Sequence, residues 1–279
     1  MRTVPLTVAW VGMLLTPGSA QPTAPEGLQR LRYTTAVACD SEPCGRRPPL
    51  LVHFHGAPPT VEPAFREAGL AGVLLTINCN GLSGAYREPF ENAELFPYLL
   101  DKVRDDLVAE GRLSEGAEWG RVDLSFFSAG YGAARELLKQ PAVRDRLDAL
   151  VSADSIYASI HSEEGKRRVD AEQMAPFVAF ARRAADGDAA FLWTHSQLSV
   201  EPYASTVETS DYLIDQLQLT RRELTAGADA FSPISEAAGG GLVVRGYPGA
   251  DGEAHMLHLR RIADAWAWLA SIRDAKDRP

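Results

Sequence analysis

The chain has 279 residues, 46% of them hydrophobic and 23% charged, the balance of one ordinary globular domain with enough apolar content for a full core. Its formal net charge of -9 leaves no surplus of Lys and Arg to neutralise phosphates, which argues against nucleic acid and anionic membrane surfaces as partners. Small neutral or cationic substrates stay open.

The first twenty residues hold Arg2, an apolar stretch from Val4 to Leu15 and then Thr16-Pro17-Gly18-Ser19-Ala20. That order describes a secretory signal peptide cut after Ala20, so the mature chain is expected in a periplasm or the medium. An uncleaved anchor and a buried N-terminal helix are the alternatives. The stretch is short for a membrane span and no later segment approaches the required length, so no span is expected once the signal is removed. Residues 21–29 are Pro-rich and polar and read as a linker, leaving residues 30–275 as the domain.

Cys39 and Cys44 flank Asp40-Ser41-Glu42-Pro43, a turn-forming segment able to bring them within bridging distance in an oxidising compartment and leave Cys79 free. A bond from Cys79 to either one stays open. Three thiols at this spacing make no zinc signature.

Short apolar runs at 50–54, 72–77, 122–127, 149–152, 190–194 and 242–245 have the length and the Val, Leu, Ile and aromatic content of buried parallel strands, and 32–39 adds a strand at one edge. Helices are expected over 93–110, 130–140, 171–185, 206–219 and 256–275, the fourth opened by a capping box of Ser205 and Glu208. Strands and helices alternating in this way predict an α/β domain with a mostly parallel sheet covered on both faces, whose site lies at the carboxyl ends of the strands. The intervening stretches 156–188 and 199–239 are long enough to form a lid or pocket wall.

Ser128 follows the run at 122–127 at once and is followed by Ala129-Gly130-Tyr131-Gly132-Ala133-Ala134, a helix start made mostly of small residues. A serine on so tight a strand-to-helix turn is lifted above the sheet edge, near backbone N–H groups that favour negative charge. By itself such a serine is more often a helix cap. Two further segments argue for a nucleophile. His53-Phe54-His55-Gly56-Ala57-Pro58-Pro59 ends the first clear strand, where the N–H of Gly56 or Ala57 together with that of Ala129 would stabilise an oxyanion. His55 then shapes the loop. The pair His53-x-His55 also suits a metal on a strand face, but no third ligand lies near in sequence, and no metal or organic cofactor is implied.

The second segment, 246–258, precedes the last helix and offers two bases. His255 stands at the loop-to-helix boundary, free to reach over the sheet, whereas His258 lies within the helix and is the alternate. The acid that orients the imidazole is expected at Asp154, at the carboxyl end of the strand after that of Ser128, with Glu201 and Asp251 as alternates. His55, Tyr131 and His195 fall near the same edge as candidates to line the pocket.

The order Ser128, Asp154, His255, with His55-Gly56 upstream, resembles the α/β-hydrolase superfamily over residues 30–275, nearly all of the mature chain. The resemblance implies an esterase- or lipase-like serine hydrolase acting on small-molecule esters through an acyl-enzyme. A peptidase and a non-catalytic binding protein of the same fold are the rivals. Two departures stand out. Phe126 occupies the place two before the serine that usually holds a small residue, and the acid comes one strand earlier than is most common. Oligomeric state is left open.

Overall fold

The computed structural model describes residues 23–276 apart from 40, 42, 164–165 and 226. The expected signal peptide at 1–20 lies outside the described residues. Where the expected linker meets the domain, Leu28–Arg30 form one turn of 3-10 helix.

Five runs that read as buried strands are buried along their whole length or nearly so: β2 (Leu50–Phe54), β3 (Gly72–Asn78), β4 (Val122–Phe127), β5 (Ala149–Ala153) and β8 (Ala190–His195). With β11 (Leu242–Gly246) they form the parallel centre of the sheet. Antiparallel strands close both edges, β1 (Arg32–Ala38) on β3, and β10 (Ser235–Gly239) on β11 with the two-residue β9 (Arg222–Glu223) beyond it. Among the described residues the order is β1-β3-β2-β4-β5-β8-β11-β10-β9. The strand expected at 32–39 therefore exists, at the edge, while β9 and β10 add an unexpected second edge. Their small and polar residues carry no apolar run to announce a strand.

Period-2 alternation sends successive side chains to opposite faces. Phe54, Phe126 and Trp193 pack under α3 (Leu95–Ala109), α4 (Tyr131–Lys139) and α6 (Ala171–Ala185), while Leu51, Phe127, Val151 and Leu192 pack under α1 (Pro58–Glu67) and α9 (Ile262–Lys276). Several helices differ from expectation. Pro58 and Pro59, which end the segment read as a loop, instead open α1, where missing N–H groups cost nothing. The helix α2 (Ser83–Phe90) was not expected, and the last helix is two, α8 (Gly252–Arg260) and α9, broken at Arg261. The capping box at Ser205 and Glu208 is present and opens α7 (Thr206–Gln216).

The stretches expected to cover the site are largely structural. In 156–188, α6 is the crossover helix that joins β5 to β8, with Met174, Phe177 and Phe180 fully buried, because parallel neighbours need a connection of this length. In 199–239, α7 packs beside α6, and β9 and β10 belong to the sheet. Outside the layers stands the hairpin of β6 (Ile160–Glu163) and β7 (Lys166–Val169). Between α4 and β5 the chain also makes a four-residue helix, α5 (Pro141–Arg144). Cys39 and Cys44 form the disulfide, with Cα atoms 5.6 Å apart, and Cys79 is buried outside it. No helix among the described residues is long and apolar enough to cross a membrane.

Polar groups fasten α9 to the sheet. Trp266 Nε1 donates to Ser125 Oγ at 2.9 Å, and that oxygen lies 3.0 Å from His53 Nδ1. Arg273 Nε donates to the buried carboxylate of Asp123 at 2.9 Å. Three histidines are sealed in the interior: His53, His195 and His258. Burial lowers the pKa of His53 to about 3 and of His195 and His258 to about 4, against an ordinary value of 6.5.

Two expectations follow from this packing. Trp266→Ala removes a fully buried side chain and leaves Ser125 without its donor, and should lower the unfolding free energy measured in urea by about 3–5 kcal/mol. Trp266→Phe should cost less. For the histidines, the unfolded chain takes up protons near pH 6.5 and the folded chain only near pH 4, so between these values the unfolded state holds more protons. Stability should therefore fall as pH drops through that window, by about 1.4 kcal/mol per pH unit for each buried histidine. Urea midpoints between pH 7 and 4.5 check this, and His258→Gln should show a shallower slope.

Candidate active site

At the end of β4 the chain turns through a 3-10 segment, Ser128–Gly130, directly into α4. Ser128 takes φ 46°, a left-handed conformation uncommon for a residue with a Cβ. His55 (φ 71°) and Asp154 (φ 40°) share that region, so strained backbone gathers at the carboxyl edge of the sheet. The turn is close-packed. A Cβ on Gly130 would lie 2.6 Å from Phe54 O, and one on Gly132 would lie 2.1 Å from Ser83 O, which explains the small residues after the serine. Ser155 Oγ donates to Ser128 O at 2.6 Å and ties the turn to the segment that carries Asp154. Phe126 needs no relief. Its side chain leaves the turn for the core beside Phe177, with ring centroids 6.2 Å apart.

Ser128, His255 and Asp154 come together although they lie far apart in the chain. Ser128 Oγ is 3.0 Å from His255 Nε2, and His255 Nδ1 is 2.7 Å from Asp154 Oδ2. The carboxylate accepts only, so Nδ1 carries the ring proton and the Nε2 lone pair faces the serine hydroxyl. His255 lies in the first turn of α8 rather than at a boundary, since the helix starts at Gly252. Phe127 stacks beneath its ring at 4.6 Å. The imidazole keeps 15% of its side-chain surface exposed, which leaves it reachable from outside.

Asp154 has no exposed side-chain surface. Burial works to raise its pKa, and hydrogen bonds from His255 and Thr206 outweigh it and hold the group below the usual carboxylate range. Four donors meet this carboxylate. Ser196 N at 2.9 Å and Thr206 Oγ1 at 2.6 Å reach Oδ1, while Ser196 Oγ at 2.7 Å and His255 Nδ1 reach Oδ2. Ser196 stands just past β8, where the acid more often sits in the superfamily named above, and here supplies donors to an acid one strand earlier.

The other candidates have different places. His258 Nδ1 pairs with Thr194 Oγ1 at 2.9 Å in the interior, its ring edge-on to the stacked Phe231 and Tyr247, so it does not reach Ser128 as a base. Glu201 pairs with Arg167 at the surface, and Asp251 caps α8 through Ala254 N. Neither carboxylate bonds the His255 ring, although the Asp251 carbonyl accepts from His255 N at 3.1 Å within the helix. His195 does not line an open pocket: its Nδ1–H donates to Ser196 O, its Nε2 accepts from Arg221 Nη1 at 2.9 Å, and it is fully buried. His55 is half-buried, with Nδ1 2.7 Å from Tyr86 OH and its ring stacked along Phe127. His53 packs edge-on against Trp266, with its Nδ1 3.0 Å from Ser125 Oγ. Tyr131 lies beside Tyr157 at 5.6 Å, and its OH donates to Ser83 Oγ.

Of the expected oxyanion donors, Gly56 is otherwise engaged, its N–H donating to Asn78 Oδ1 at 3.2 Å. Ala57 caps α1 and Ala129 stands in the first turn after the strand, positions where helices leave N–H groups without intrahelical partners. Among the described residues neither N–H donates a hydrogen bond. Sequence reasoning missed Asn78, Ser155, Ser196 and Thr206 as members of the site. A polar residue ending an apolar strand at the carboxyl edge was the signal for Asn78 and Ser196.

No protein-family model and no curated protein matches the chain. Solved structures similar to it include an S-formylglutathione hydrolase from Agrobacterium tumefaciens, at 16% identity over 88% of this chain and 92% of that one, with a TM-score of 0.47. A ferric enterobactin esterase from Salmonella typhimurium is 17% identical over 89% of this chain and 57% of its own length, with a TM-score of 0.49. A thermophilic esterase from Thermogutta terrifontis is 14% identical over 87% and 89%, with a TM-score of 0.44. The parallel centre of the sheet, the sharp strand-to-helix turn at Ser128 and the chain order Ser, Asp, His together make this an α/β-hydrolase fold.

Proposed function

We propose that this protein is an exported serine hydrolase that cleaves small carboxylic esters through an acyl-enzyme on Ser128. The observation that carries the reading is the unbroken hydrogen-bonded line from Ser128 Oγ through both nitrogens of His255 to Asp154. Three residue types in this geometry have one chemistry in common, the activation of a hydroxyl that has too high a pKa to attack unaided.

His255 Nε2 takes the hydroxyl proton as Ser128 Oγ attacks the ester carbonyl. The resulting oxyanion is met by the N–H groups of Ala57 and Ala129, and Asp154 stabilises the imidazolium. Collapse breaks the bond to the alcohol, which leaves with the proton from His255. Water then attacks the acyl-enzyme with His255 again as base, releasing the acid and restoring Ser128. Asp154, sealed and held ionised, takes no proton in either step. The Tyr131 and Tyr157 rings offer an aromatic wall for the acyl or alcohol portion. Export rests on residues 1–20 and agrees with the Cys39–Cys44 disulfide, a bond that persists in oxidising compartments.

A fluorophosphonate probe should label the wild-type protein once per chain and fail to label a folded Ser128→Ala variant. An unlabelled, folded wild type would sink the proposal. Asp154→Asn should lower kcat for p-nitrophenyl acetate on the order of 10³- to 10⁴-fold, because the amide no longer selects the right tautomer of His255. Esters should be cleaved and peptide anilides left intact, the reverse marking a peptidase. Export is checked by N-terminal sequencing of the protein secreted by a bacterial host, which should begin at Gln21.

A further inference from the structure

We infer that Asn78 is a positioning residue of the oxyanion site, aiming the N–H of Ala57 by clamping both peptide groups of Gly56. The inference rests on the ester-hydrolase reading above and adds a residue to it. Asn78 is the last residue of β3, next to β2 in the sheet, and its side-chain amide faces the loop that follows β2. Its Nδ2 donates to Gly56 O at 2.8 Å and its Oδ1 accepts from Gly56 N at 3.2 Å. Only one orientation of the amide satisfies both bonds.

The consequence comes from peptide planarity. The carbonyl of Gly56 and the N–H of Ala57 belong to one rigid trans unit and point in opposite directions, so a donor holding the carbonyl fixes the direction of the N–H. The second bond fixes the preceding peptide in the same way. The loop needs such control. His55, just before it, sits at φ 71°, and a Cβ on Gly56 would lie 2.6 Å from Val61 Cγ1 and 2.8 Å from His53 Nε2, so only glycine fits. Glycine has the widest backbone freedom of any residue, and without an external clamp the peptide that bears the donor is free to rotate. The loop also lies against the nucleophile, since the site of a Gly130 Cβ is 2.6 Å from Phe54 O. A small rotation of the Gly56–Ala57 peptide would misdirect the donor against Ser128 without touching His255 or Asp154. Preorganised donors lose most of their effect once they must reorient during reaction.

The test is steady-state hydrolysis of p-nitrophenyl acetate by full-length wild type, Asn78→Ala and Asn78→Asp, normalised to sites labelled at completion by a fluorophosphonate. Both variants should label to one per chain, more slowly than wild type. Each should lose about 10- to 100-fold in kcat, with KM changed less than about threefold and the pH–rate profile unmoved. Asn78→Asp keeps the acceptor for Gly56 N and loses the donor to Gly56 O, so it should be no faster than Asn78→Ala. Variants that turn over and label at the wild-type rate would overturn the assignment while leaving the hydrolase reading intact. A loss confined to KM, or a displaced pH profile, would overturn it too, because each points to substrate binding or to His255 instead. A wild type that does not label removes both readings.

Discussion

A carboxylate with no contact with water has to be satisfied by the protein on every side, and Asp154 is the point at which this chain meets that demand. Its four hydrogen bonds come from the segment after β8, the start of α7 and the first turn of α8. Each of these segments is held by packing of its own, so the charge is stable only when all of them are in place. The same demand sets the imidazole: an acid that can only accept leaves His255 one tautomer, with its free lone pair on Ser128. The order of the candidate site and the tertiary order are thus one arrangement here, and the low pKa of Asp154 is its electrostatic trace.

Around that point the carboxyl edge of the sheet is built from residues in unfavourable backbone conformations. Ser128, His55 and Asp154 end three neighbouring strands in left-handed geometry, and each is braced by a neighbour: Ser155 on the Ser128 carbonyl, Tyr86 on His55, Thr194 O on the Asp154 amide. In the interior, by contrast, His53 and His195 of the sheet and His258 of α8 are kept neutral by burial. Arg221 reinforces this at His195 by donating to its free nitrogen, and so also joins the sheet edge to α7 through Ser210 and Asp211. Of these five histidines, His53, His55, His195, His255 and His258, only His255 combines a carboxylate on one nitrogen with a hydroxyl on the other.

Phe126 shows how a local motif can mislead. Two positions before a nucleophile a small residue is the usual choice, and a phenylalanine there suggests a crowded turn. In the fold its side chain belongs to the layer beneath α6, facing Phe177, and the crowding falls on Gly130 and Gly132 instead. The space around a turn is decided by what packs against it, and for Ser128 that is the backbone of β2 and α2.

The central strands were legible because strands buried on both faces of a parallel sheet are mostly apolar, and Leu50–Phe54, Val122–Phe127 and Ala190–His195 are short, mostly apolar runs buried at every position. So was α6, whose bounds 171–185 follow from its apolar spacing, and α7, whose capping box is a local bond pattern. Ser128, Asp154 and His255 could be singled out for the same kind of reason: each stands where a strand ends or a helix begins, and chain order suffices to place such points. What the sequence alone could not decide was pairing in space. The disulfide of Cys39 with Cys44 rather than Cys79, the engagement of the Gly56 N–H by Asn78, and the pairing of His258 with Thr194 all depend on distances between segments remote in the chain. Periodicity reports which face of an element is apolar; only the packed layers determine which polar atom meets which.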